Sequence, residues 1–144
     1  MNGTSLVITY NEALDTGSVP ATTDFAVQVN GSSRSVSSVG VSGSAVTLTL
    51  ASATRFADTV TVAYTQGTNK TRDTATTDTG TAAGNIAASF TAAAVTNNTA
   101  NAAPTAPTLV SPADALLQIN TLTPTLSATF QDNDTQDTGK VTFE

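Results

Sequence analysis

Apolar side chains recur at every second position in four separate stretches, which leaves little room for anything but β-structure. Leu6, Ile8 and Tyr10 alternate in the first, and Phe25, Val27 and Val29 in the second. Val46, Leu48 and Leu50 alternate in AVTLTL at 45–50, and Val60, Val62 and Tyr64 in TVTVAY at 59–64. A period of two places each set on one face of a strand, with Thr47 and Thr49 on the solvent side of the third. Each such side chain contributes roughly 1.5–3 kcal/mol on burial, so these rows can support a domain.

The connections punctuate the pattern. Residues 11–24 carry Asn11, Glu12, Asp15, Gly17 and Pro20, which favour turns or resist strand pairing, with a short helical turn expected at Glu12 to Leu14. Asn30-Gly31 is the strongest hairpin signal, because both residues tolerate positive φ. The returning strand, 34–41, places Val36 and Val39 out of phase, which predicts a β-bulge near Ser37-Ser38. Ser42-Gly43 turns the chain, and Phe56 in the 51–58 crossing is a candidate plug for the end of the core. Residues 66–85 hold no strand pattern, and a loop this long is functional or mobile. A last strand is expected over 86–97, starting at Ile86, with Phe90 and Val95 as its large side chains.

Pro104 and Pro107 mark residues 100–107 as a fairly extended linker. Beyond it, TLVSP at 108–112, a strand over 125–130 with Leu126, Ala128 and Phe130 on one face, and Val141 with Phe143 begin a second module. About three strands are too few to close a sandwich, so residues 108–144 read as the opening part of a module, in a chain excised from a longer array. The fold expectation is all-β: an antiparallel β-sandwich over 1–99, a proline-containing linker over 100–107, and a partial second β module over 108–144.

Charge and composition exclude several functions. Eleven acids stand against five bases, for a net charge of −6, and apart from Lys70 and Arg72 the bases are scattered. Phosphate contacts need clustered bases, so nucleic acid is not an expected partner. No run of eighteen apolar residues exists, so no membrane insertion is expected. Cysteine, histidine and tryptophan are absent. Disulfides and thiolate chemistry are thereby excluded, a zinc site would rest on carboxylates alone, and a serine nucleophile would lack its usual imidazole. Ser and Thr make up 43 of the 144 residues, a composition common in exported bacterial β-proteins. The residues after Met1 show no secretory signal pattern.

Three groups of acids are candidate sites. Asp132, Asp134 and Asp137 are the densest cluster and the candidate ligands for Ca²⁺, a hard cation that takes oxygen donors. Their spacing is not that of an EF-hand, and a solvated turn is the plainer reading. Glu12 and Asp15 have the residue types of a glycosidase acid–base pair, but no aromatic sugar platform lies near them and Asp15 suits a turn. Asp73 and Asp78 lie in the long polar loop and could serve calcium or a partner, against a mobile loop as the simpler account. Five matches to the glycosylation sequon, at Asn2, Asn30, Asn69, Asn97 and Asn133, are expected by chance in so Thr-rich a chain.

The segments NGTSLVITYNEALD at 2–15, SVPATTDFAVQVNG at 18–31, VSGSAVTLTLASA at 41–53, DTVTVAYT at 58–65 and AAGNIAASFTAAAVTNNT at 82–99 resemble the SWM repeat of bacterial and cyanobacterial cell-surface proteins. The sequence departs from that family in two places: a strand usually precedes the segment beginning Asn2-Gly3-Thr4, whereas here the sequence starts at Met1, and the loop over 66–81 is longer than the family leads one to expect. The tail from APTLVSP onward resembles the start of an Ig-like or fibronectin-III-like module. The resemblance implies an Ig-like sandwich repeat of a secreted surface protein, non-catalytic, serving as a spacer or adhesion element. It implies neighbouring repeats of the same polypeptide as partners, and cell-surface polysaccharide or other surface proteins as further ones. The rival readings are a calcium- or carbohydrate-binding module and an accessory domain of an extracellular hydrolase. No resident cofactor is expected, with Ca²⁺ as the one candidate.

Overall fold

Alternation in the sequence becomes alternation in burial. In the computed structural model, residues 1–74, 85–111, 123 and 125–134 are described. The chain divides into two compact units, Met1–Ala100 and Asn101–Glu144.

The first unit contains β1 (Ser5–Thr9), β2 (Phe25–Val29), β3 (Ser32–Arg34), β4 (Val36–Ser42), β5 (Ala45–Leu50), β6 (Val60–Tyr64) and β7 (Phe90–Val95). One sheet runs β1-β5-β4 and the other β3-β2-β6-β7, with every neighbouring pair antiparallel. Leu6, Val46, Leu48 and Leu50 from the first sheet meet Phe25, Val27, Val29, Val60, Val62 and Tyr64 from the second in one buried cluster. The unit is a β-sandwich, and the four alternating rows of the sequence are its core.

The Asn30-Gly31 turn joins β2 to β3 with φ of 52° and 77°, as a two-residue hairpin loop requires. Asn30 also docks the turn. Its Oδ1 accepts from the Thr59 amide at 2.9 Å, and its Nδ2 donates to Asp58 Oδ1 at 2.7 Å. The expected bulge is present: the β4–β5 register shifts between Val36 and Ser38.

The structure corrects several local expectations. The single returning strand is two strands in two sheets. β3 stays with β2, and β4 crosses to pair with β5. Glu12 to Leu14 is not helical: Leu14 forms an isolated bridge with Asp73 and is buried in the core. The one helical turn among the described residues is a 3-10 turn at Thr22–Asp24, where the Asp24 carboxylate accepts from the Ala21 amide. Phe56 does not plug the core; it is an exposed side chain on the crossing. Ile86 does not start the last strand. It bridges Arg72, remains exposed, and the strand begins at Phe90.

The end of the core is instead closed by aromatic rings. Tyr64 is fully buried, stacked on Phe25 at 5.1 Å between ring centroids and tilted against Phe90 at 6.1 Å. Such pairs contribute about 0.5–1.5 kcal/mol beyond their buried area.

In the second unit β8 (Thr108–Ser111) pairs antiparallel with β9 (Ser127–Thr129). The strand expected over 125–130 is shorter, with Leu126 exposed and Ala128 and Phe130 partly buried. Val141 and Phe143 lie outside the described residues.

Candidate functional site

Three segments meet at one end of the sandwich: the β1–β2 connection, residues 71–73, and residues 85–88. Backbone bonds tie them together. The Asp15 amide donates to the Arg72 carbonyl, Thr74 to Ala13, Asp73 to Asn85 and Ala87 to Thr71. Between them opens a cleft of about 240 Å³, lined in part by Tyr10, Glu12, Leu14, Arg72, Asp73 and Asn85.

The acids at this cleft are placed very differently. Asp15 Oδ1 accepts from the Gly17 amide at 2.8 Å, closing the turn read in the sequence. Its Oδ2 takes the Arg72 guanidinium, with Nε at 2.9 Å and the terminal nitrogen at 2.8 Å. The Gly17 amide first, and then Arg72, hold the Asp15 carboxyl below its ordinary range. It therefore stays ionised and is a poor proton donor, which argues against Asp15 as the acid of the pair considered with Glu12. Glu12 is exposed at the rim.

Asp73 is 4% exposed, and its carboxylate accepts from the Asn85 amide at 2.9 Å and from Asn85 Nδ2 at 3.3 Å. A buried carboxylate held this way orders the two ends of a loop. Asp78, its companion in the sequence, lies outside the described residues.

Beneath the cleft lies a group of hydroxyls. Tyr64 Oη accepts from the Thr71 amide at 3.1 Å. Among the described residues, Tyr10 Oη and Thr71 Oγ1 are buried without a partner in hydrogen-bonding geometry. Burial pushes the Tyr10 phenol above its ordinary value, the approach of the Thr71 hydroxyl opposes this, and Tyr64 adds to the rise. Sequence reasoning missed Asn85 and Thr71, because their roles depend on partners far away in the chain.

The acid-rich loop of the second unit is put to local use. Asp132 Oδ1 accepts from the Asp134 amide at 2.9 Å, and Asp134 Oδ2 accepts from the Ala102 amide at 2.6 Å. Asp134 is buried, and Asp137 lies outside the described residues. Among the described residues no group of three acids converges in a way that could hold a metal ion. Asn30 and Asn97, two of the sequon asparagines, spend their side chains on internal bonds, Asn97 Nδ2 to the carbonyls of Arg55 and Asp58. No helix among the described residues is long and apolar enough to cross a membrane.

Comparison with known families places the first unit. Residues 1–69 match the model of the SWM repeat, which carries the description of a flagellar system-associated repeat. No curated protein matches the chain, and no solved structure does.

Proposed function

From a first unit built on the SWM repeat, we propose that this chain is a non-catalytic structural repeat of a large exported bacterial surface protein linked to the flagellar system. It acts as a spacer or adhesion element in an array. The match over residues 1–69 carries this reading. The polar groups at the end of the sandwich support it. Asp15 is paired with Arg72 and Asp73 accepts from Asn85, so these two acids are engaged in closing the fold. The partners on this reading are neighbouring repeats of the same polypeptide, with surface polysaccharide or other surface proteins at the ends of the array. The location is the cell surface.

A domain exchange tests the proposal. In the full-length protein, residues 1–100 are replaced by an unrelated β-sandwich of equal length. Surface display is measured by antibody and motility by swimming speed. A spacer keeps both. Normal display with lost motility would overturn the spacer reading and assign a specific contact to this unit.

A further inference from the structure

The Asn30-Gly31 turn carries reactive chemistry. An asparagine side chain is electrophilic at Cγ, and the main-chain nitrogen of the next residue is its nearest nucleophile. Glycine leaves that nitrogen unshielded, so Asn-Gly is the dipeptide in which the two meet most easily, and asparagine is among the thermolabile residues. The chain has this pair at 2–3 and at 30–31, and the second closes the turn between β2 and β3. Asn30 and Gly31 are both exposed, and nothing lies within 4 Å of where a Cβ on Gly31 would stand, so water reaches the turn.

Folding opposes the reaction. Ring closure needs Gly31 N to approach Asn30 Cγ closely and in line with the carbonyl orbital. The Asn30 amide is instead docked on the segment that leads into β6. Its Oδ1 accepts from the Thr59 amide at 2.9 Å and from the Thr59 hydroxyl at 3.1 Å, and its Nδ2 donates to Asp58 Oδ1 at 2.7 Å. The main chain is pinned beside it, with the Asn30 amide donating to the Thr59 carbonyl at 2.8 Å. Asp58 is itself held: it is buried, and its Oδ2 accepts from the Arg55 amide at 2.7 Å. Turning the side chain toward Gly31 therefore breaks three hydrogen bonds at once.

We propose that Asn30 is a deamidation site controlled by this docking, inert while the turn is seated on Asp58 and Thr59 and reactive when the turn opens. In the open turn Gly31 N bonds to Asn30 Cγ and loses its proton. The Cγ–Nδ2 bond breaks, and Nδ2 leaves with that proton as ammonia. Water then opens the five-membered imide, adding its hydroxyl to carbon and its hydrogen to nitrogen. Cleavage at Cγ leaves aspartate at position 30. Cleavage at the main-chain carbonyl leaves isoaspartate, with the backbone running through the side chain. Neither product docks again. Aspartate puts an oxygen where Nδ2 stood, facing the Asp58 carboxylate with no N–H between them, and like charges that close repel. Isoaspartate adds a carbon to the main chain of a two-residue loop whose geometry is narrowly set. This chemistry does not depend on the spacer reading.

The test uses the full 144-residue chain, incubated at neutral pH both folded and in urea. Mass spectrometry of the peptides that contain position 30 follows the conversion. It is expected to be about tenfold or more slower in the folded chain, because the open turn alone reacts. Two variants then test the partner. Asn30→Asp should lower Tm by about 4 °C or more. Adding Asp58→Asn exchanges donor and acceptor, restores a hydrogen bond between the two side chains and should recover most of that loss. Equal conversion in the folded and unfolded chains would overturn the protection. No fall in Tm, or a fall that Asp58→Asn does not relieve, would overturn the role of Asp58.

Discussion

Replacing Tyr64 by Phe tests how the loop over residues 66–74 is held to the core. The substitution keeps the ring, and with it the stacking on Phe25 and the contact with Phe90. It removes one oxygen, which accepts the Thr71 amide at 3.1 Å in a fully buried setting. Thr71 is 1% exposed, so water does not reach the orphaned N–H while the fold is intact. Leaving such a donor unsatisfied costs about 1–3 kcal/mol. For a unit of this size each kcal/mol lowers Tm by about 4–8 °C. Urea denaturation followed by circular dichroism should show a lower midpoint with an unchanged slope, since the surface exposed on unfolding is the same. Amide exchange at Thr71 should accelerate more than exchange at Val62, because the loop opens before the sheet does. Tyr64→Leu should cost more, through loss of both ring pairs. If Tyr64→Phe leaves the midpoint and Thr71 exchange unchanged, the loop is held by other contacts and the reasoning fails.

Gly31→Val forces a branched side chain into a φ of 77° and is expected to lower the stability of the first unit by about 1 kcal/mol or more, read from the denaturation midpoint. The lowered Asp15 pKa sets a pH dependence: its stabilisation is present above the ordinary carboxylate value of 3.8 and is lost as pH falls through the lower folded value. Melting between pH 6 and pH 2 should therefore show a smaller acid loss in Arg72→Gln than in the parent, and superimposable profiles would remove the ion pair from the account. Asp134→Asn weakens the acceptor for the Ala102 amide and should speed exchange there, with or without millimolar calcium. A calcium-dependent rise in melting temperature that Asp134→Asn abolishes would instead establish the ligand role weighed for Asp132, Asp134 and Asp137.

The elements legible in the sequence are those whose causes are local. A period of two decided which faces of β1, β2, β5 and β6 are buried, because successive side chains on a strand must point to opposite sides. Asn30-Gly31 declared its turn because few residue pairs accept two positive φ values. The out-of-phase valines at 36 and 39 declared the bulge. The absence of histidine and cysteine narrows the chemistry open to the chain. Tertiary structure decided what depends on distant partners. The chain changes sheets between Arg34 and Val36 because β4 finds its partner in β5, and no residue near position 35 announces this. Leu14 is core rather than loop because Asp73, far along the chain, bridges it. Asp15 and Asp73 looked alike as acids in polar connections. Arg72 and Asn85, brought beside them only by folding, make one an ion pair at the rim and the other a buried clasp. A side chain's own chemistry lies in its residue type, but its protonation, exposure and role follow from neighbours that sequence spacing does not specify.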